Sequence, residues 1–255
     1  MDVDESPRRI PELWLEDGNI VLQAGNRQYC VYRGTLAACS PVFKDMFSFP
    51  QPPNSELVEG LPVVRLQDSS SQVTLFLRAI FQPNFFMPFP ATTEYATIQA
   101  CLRLSHRYEV EHLRLRALIH LSSRYRTTLR QFDAIAGFDS EAEEDDPSAR
   151  PVSEIASWTS DSFTDDISVI LLAREVEAPW VIPVAFYRIS VGLGDLIDKP
   201  TSGGIFSTGL NCLGHQDQIA LLRGHSLQTQ ASTTSILACF AQRLDSDGRG
   251  CKSAK

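Results

Sequence analysis

Apolar residues change their spacing several times along the chain, and each change marks an expected element. Ile20-Val21-Leu22-Gln23-Ala24 and Gln28-Tyr29-Cys30-Val31-Tyr32 are β-prone runs. They are joined through Gly25-Asn26, residues that both tolerate positive φ, which predicts a hairpin turn. The first ordered unit is expected to begin near Leu13. After Tyr32 the period becomes helical: Leu36, Ser40, Phe43 and Phe47 fall at helical spacing, with Met46 beside them. Serine is a good N-cap, and proline fits the first helical position because its missing N–H would be unpaired there anyway. Ser40-Pro41 therefore predicts two short helices that meet at Ser40 rather than one that runs through.

Pro50, Pro52, Pro53 and Gly60 mark a loop, and Val63-Val64-Arg65-Leu66-Gln67 reads as a strand. Asp68-Ser69-Ser70-Ser71 is a turn whose side chains can cap a helix. Val73, Phe76, Leu77, Ile80 and Phe81 then give the cleanest amphipathic helix in the chain. A second proline-rich loop runs from Pro83 to Pro90. Ile98, Cys101, Leu102, Ser105 and Tyr108 line one further helix, and Leu113, Ala117, Leu118 and Leu121 another, with a break near Val110-Glu111. Strands come first and helices cluster after them, the order of an α+β domain.

Asp139, Glu141, Glu143, Glu144, Asp145 and Asp146 make the stretch up to Pro147 strongly acidic. Such a run repels itself and has nothing to bury, so it reads as a disordered connector, with an acidic interaction tail as the sharper alternative. Beyond it, Ile167, Ile170, Leu171 and Arg174 begin a helix that should end before Pro179. Trp180, Val184 and Tyr187 continue as a second helix with Pro183 in its first turn. Gly192, Gly194, Gly203 and Gly204 punctuate a loop. Ile236, Leu237, Phe240 and Leu244 make a last helix after the capping candidate Ser232. The expected organisation is a disordered N-terminus (1–12), an α+β domain (13–122), an acidic linker (123–151), an irregular α-helical region (152–245) that leans on the first domain, and a frayed tail (246–255).

Composition narrows the function classes. The chain has 255 residues, 43% of them hydrophobic, and a formal net charge of -8. That charge repels nucleic-acid phosphates, and the arginines from Arg114 to Arg130 are spread along an apolar helix and its tail, as on a solvated face. No nucleic-acid partner is expected. The start, Met1-Asp2-Val3-Asp4-Glu5, has neither the basic residues nor the apolar run of a signal peptide, and no stretch approaches the roughly 18 apolar residues a membrane span needs. No membrane partner is expected, and the expected location is cytoplasmic or nuclear. Cys30, Cys39, Cys101, Cys212, Cys239 and Cys251 are scattered with no CxxC pair, and read as buried free thiols in a reducing compartment.

Catalytic templates fail in turn. There is no HExxH, no zinc-finger cysteine set, no GxSxG and no GxxxxGK[ST]. Gly192-Leu193-Gly194 lacks a third glycine at the right offset for a dinucleotide loop. His106 and His112 flank a helix junction and read as polar surface residues. Paired carboxylates fall mainly in the acidic stretch, which cannot hold them at fixed geometry. No catalytic residue, metal ligand or cofactor is expected, and the chain is not expected to be an enzyme.

One segment supports a resemblance. Tyr29-Cys30-Val31-Tyr32-Arg33-Gly34-Thr35-Leu36-Ala37-Ala38-Cys39-Ser40-Pro41-Val42-Phe43-Lys44-Asp45-Met46-Phe47 resembles the strand-to-helix signature of the BTB/POZ domain, in which a strand ending in His-Arg or His-Lys leads into L-x-x-x-S-x-x-F-x-x-M-F. The later strand, the helix from Phe76 to Phe81 and the closing helix pair follow in the family's order, so the resemblance covers Leu13 to Leu121. The wording of Leu13-Trp14-Leu15-Glu16-Asp17-Gly18-Asn19, of Leu102 to Val110 and of Ala173 to Trp180 is similar to BTB proteins of mushroom-forming fungi. Tyr32 stands where the family usually has histidine. Asn19 stands where BTB domains joined to zinc fingers carry an aspartate facing the basic residue matched here by Arg33. Losing that carboxylate removes the charged pair of that branch.

The resemblance implies a small mixed sheet with clustered helices, and self-association or partner binding through the sheet edge and the first helices. Leu13, Trp14, Leu15, Tyr32, Arg33, Met46, Phe47 and Phe49 are the candidate protein-interaction residues, since large apolar side chains clustered and exposed would make a patch. A two-fold homodimer acting as a scaffold or adaptor for other proteins is the first functional expectation. The second is a substrate receptor on a cullin scaffold of a ubiquitin ligase. It ranks lower, because Ser69 to Phe81 holds no acidic residue.

Overall fold

In the computed structural model the described residues are 7–49, 56–125, 157–158, 163–192, 206–208 and 211–247. They fall into two compact units. The first takes in the chain to Ser160 together with Arg174–Ala178, and the second Asp161–Ala173 and Pro179 onward.

The first unit is built on a five-stranded mixed sheet. Its strands are β1 (Arg8–Trp14), β2 (Ile20–Ala24), β3 (Arg27–Val31), β4 (Leu57–Val58) and β5 (Leu61–Leu66), in the order β1-β3-β2-β5-β4. β2 and β3 form the expected hairpin, with Ala24 opposite Arg27 across a two-residue turn. Gly25 takes φ +53° there, a conformation that glycine reaches without steric cost. β2 is an inner strand, with β5 parallel to it on one side and β3 antiparallel on the other, and Ile20, Val21, Leu22 and Ala24, which alternate between its two faces, are all buried. Gly18 serves a different need: a Cβ at that position would lie 2.5 Å from Cys30 Sγ, so the chain entering β2 can pass there only without a side chain.

Among the described residues, five helices pack with this sheet: α1 (Arg33–Cys39), α2 (Pro41–Ser48), α3 (Ser70–Phe81), α4 (Tyr95–Arg107) and α5 (Glu111–Ser123). α1 and α2 meet at Ser40, whose Oγ accepts from the Phe43 amide at 3.0 Å, with Pro41 as the first residue of α2. α3 packs on α4, and α4 on α5. Tyr29, Leu36, Phe43, Phe76, Leu77 and Leu102 are among the side chains closed off from solvent, and each stabilises the fold by roughly 1.5–3 kcal/mol of burial. Phe43 stacks on Tyr108 (4.5 Å between centroids, 9° between planes), which joins α2 to the end of α4.

The second unit holds most of α6 (Phe163–Glu175), a 3-10 turn (Pro179–Val181), α7 (Ile182–Val191), a two-stranded pair β6 (Ser207–Thr208) and β7 (Asn211–Cys212), and α8 (His215–Asp247). Asp166 of α6 is buried, and Arg188 of α7 reaches both its oxygens from Nε at 3.1 and 3.3 Å. α7 packs on α8, where His225 Nδ1 meets the Ser190 carbonyl at 2.7 Å and Gln228 donates to Ser190 Oγ at 2.9 Å.

Several expectations change. Order begins before Leu13, because β1 runs from Arg8 and pairs in parallel with β3. Ser157 and Trp158 go with the first unit, not with the C-terminal helical region in which the sequence pattern places them. The last helix starts at His215, and Ser232 lies in its interior rather than at its cap. Cys30 and Cys101 are buried free thiols, but Cys39 is half-buried and Cys212 exposed, since the short β7 leaves its side chain uncovered. Burial pushes the Cys101 thiol up to about 12. The acidic stretch, Gly203-Gly204 and residues 248–255 lie outside the described residues.

Candidate functional site

The junction of β3 with α1 and the end of α2 bring several of the expected interaction residues together. Tyr32 leaves β3 and offers α1 no side-chain cap. The first helical amide is met from elsewhere: Asn19 Oδ1 accepts from the Arg33 N–H at 2.7 Å. The neutral residue at position 19 therefore holds the helix start. The Arg33 guanidinium turns instead to α2, where Nη2 donates to the Phe47 carbonyl at 2.5 Å and the cation lies 5.7 Å from the Phe47 ring. A cation at the last turn of a helix meets carbonyls that lack intrahelical donors and the negative end of the dipole. Arg33 thus ties the start of α1 to the end of α2.

Tyr32 is half-buried, its hydroxyl donating to the Asp17 carboxylate and its ring 6.3 Å from Phe81. The hydrogen bond accepted by the Asp17 carboxylate keeps the phenol above its ordinary value. Trp14 is half-buried at the end of β1 under the Arg9 guanidinium, 4.3 Å from the ring. No hydrogen bond or ring contact among the described residues links Trp14 to Met46 or Phe49.

Not every expected residue faces outward. Leu13 is 0% exposed and Phe47 6%, because β1 turns Leu13 into the core and Phe47 stacks on Phe43 (5.7 Å). Both are corrected from interaction residues to core. Met46 and Leu15 are half-buried, and Phe49, the residue after α2, is 70% exposed.

Residues 15–124 match the family model of the BTB/POZ domain. The chain carries a BTB/POZ domain. Among the curated proteins none matches the chain. BTB/POZ domains are protein–protein interaction modules, and the mixed sheet with its clustered helices is the α+β fold that the strand-to-helix signature implied.

Leu57, Met87, Phe89, Leu115 and Ile119 are exposed large apolar residues of the BTB/POZ domain that fall outside the expected set. Leu115 and Ile119, each just over half exposed, sit one turn apart on the outer side of α5. Their signal is an i, i+4 apolar pair offset from the buried Leu113, Ala117 and Leu121. Among the described residues there is no group of three or more His, Cys, Asp or Glu side chains placed to hold a metal ion, and no helix is long and apolar enough to cross a membrane.

Proposed function

We propose that the protein is a non-enzymatic scaffold or adaptor that forms a two-fold dimer through its BTB/POZ domain and recruits other proteins. The observation that carries this reading is the exposed aromatic Phe49 beside half-buried Met46 at the end of α2, where Arg33 fixes the helix end. Aromatic residues, methionine and arginine are the side chains enriched at interface centres. The similarity to BTB proteins of mushroom-forming fungi belongs to the same reading and rests on the segments quoted for it.

Size-exclusion chromatography with light scattering tests it. The wild type should run as a dimer, and Met46→Glu or Phe49→Glu should shift it toward monomer with an unchanged circular dichroism spectrum. Leu13 and Phe47 are unsuitable targets, since a charge there would unfold the domain. A wild-type monomer at high concentration would end the dimer reading. Stable co-purification with a cullin would replace the scaffold reading by the ligase one.

A further inference from the structure

Away from α2, the first unit contains a socket filled by two residues from much later in the chain. Ser157 and Trp158 belong to no helix or strand, yet they are only 1% and 2% exposed. The indole stacks on Tyr95 at the start of α4, with centroids 5.1 Å apart, and lies 6.2 Å from Tyr125, with the Arg124 guanidinium 5.3 Å over its ring. Its Nε1–H donates to the carbonyl of His120 at 2.8 Å. That carbonyl belongs to the final turn of α5, where a helix leaves its last acceptors without intrahelical donors.

Ser157 is bound just as specifically. Its main-chain N–H donates to Ser123 Oγ at 3.2 Å, and its carbonyl accepts from the Thr93 amide at 2.9 Å. Its hydroxyl lies 2.6 Å from His120 Nδ1, while His120 Nε2 lies 2.9 Å from the Met87 carbonyl. A carbonyl can only accept, so Nε2 holds the ring proton and Nδ1 accepts from the Ser157 hydroxyl. One residue type is read by an imidazole lone pair and the other by the His120 carbonyl, which also accepts from Ser123 Oγ at 2.7 Å, under an aromatic wall.

The walls hold one another without this plug. α4 and α5 pack through the buried Ile98, Leu102, Leu113 and Ala117. The loop between α3 and α4 is fixed separately, with Phe86 5.0 Å from the imidazole and Arg116 Nη1 donating to the Phe86 carbonyl at 2.6 Å. Removing Trp158 would take out an occupant and leave its frame standing.

We propose that this socket is a peptide-docking site for a serine–tryptophan segment, and that Ser157-Trp158 of the same chain is its resident ligand, bound reversibly in cis. The contact between Tyr125 and Trp158 brings the two ends of the segment 126–156 to one place, so the released pair would stay at high local concentration.

The test uses the full chain and a labelled synthetic peptide of residues 153–162, followed by fluorescence anisotropy. Trp158→Ala should bind the peptide saturably, and the wild type about tenfold or more weakly because its own segment competes. A peptide carrying the same substitution should not bind. Circular dichroism checks the fold. If Trp158→Ala does not fold, Trp158→Phe, which fills the socket but lacks the N–H, takes its place in the same comparison. A folded variant that binds no peptide, or equal binding to variant and wild type, overturns the proposal. A wild-type dimer lost only on Trp158→Ala would move the occupant to a second copy and overturn binding in cis.

Discussion

The hydroxyl of Ser40 donates to the carbonyl of Tyr108 at 2.5 Å, across 68 positions of sequence, while accepting from the Phe43 amide. One buried oxygen thus caps α2 and closes the end of α4. Ser40→Ala removes a cap and leaves a carbonyl without this donor, so it should cost about 2–3 kcal/mol. Urea unfolding monitored by circular dichroism would show this as a lower midpoint at an unchanged slope.

Tyr108 has a second tie at its other end, where its hydroxyl donates to Asp68 at 2.6 Å. The Asp68 side chain is 4% exposed and is also paired with Arg107. Tyr108→Phe strips one donor from a buried carboxylate and should cost about 1–3 kcal/mol by the same unfolding measurement. Burial, then the hydrogen bond to Asp68 and its charge, hold the phenol of Tyr108 above its ordinary value. In an alkaline ultraviolet titration, the Tyr108→Phe variant should therefore lose a late-ionising tyrosine and none of the early ones.

The His120 imidazole gives the protein a sensitivity to acid. Burial is the largest cause that lowers its affinity for protons, and Arg116 acts in the same direction. A base whose folded value lies below its unfolded one binds more protons when unfolded. Stability therefore stands in full above the unfolded value of about 6.5 and falls as pH drops from there toward the folded value. His112 is shifted in the same direction, again with burial as the first cause. His120→Gln should flatten the dependence of unfolding free energy on pH over this window, leaving the smaller slope from His112. An unchanged slope would mean that His120 contributes nothing to it.

Leu13 and Phe49 were grouped by their sequence chemistry and are separated by their burial. Leu13→Ala empties a closed site in the core and should cost about 2–5 kcal/mol. Phe49→Ala touches an exposed side chain and should stay within about 0.5 kcal/mol in the folded monomer. Equilibrium unfolding of both variants at low protein concentration separates the two effects from any dimer contribution.

The elements legible in the sequence rest on rules that act within a few residues. Gly25 is needed wherever a two-residue hairpin turn requires positive φ, and Ser40-Pro41 writes a helix start into adjacent letters. β1 is not legible this way. Its buried residues, Ile10 and Leu13, stand three apart, a spacing that fits no strand alternation, because the register breaks between Arg9 and Trp14. α8 is hidden for a different reason. Its middle is rich in serine and threonine, which compete with helix in isolation, yet Thr229, Thr233 and Thr234 each donate to a carbonyl one turn back and so stay helical. Of the candidate interaction residues, the pattern finds the large side chains but cannot sort Phe47, in the last turn of α2, from Phe49, just past its end. The pairing of His120 with Ser157 spans 37 positions and leaves no local trace.

β1 also bears on how copies of the protein can meet. It is the outer strand of the sheet beyond β3, and Pro11 in its middle has no N–H to offer a newcomer. Arg8, Arg9 and Glu12 around it are exposed and would lose their hydration against an added strand. The opposite margin, β4, has only two residues. A proline and exposed charges on one margin, and a strand of two residues on the other, both weaken the sheet as a template for endless lengthening of the ladder, which guards the protein against runaway fibrous stacking.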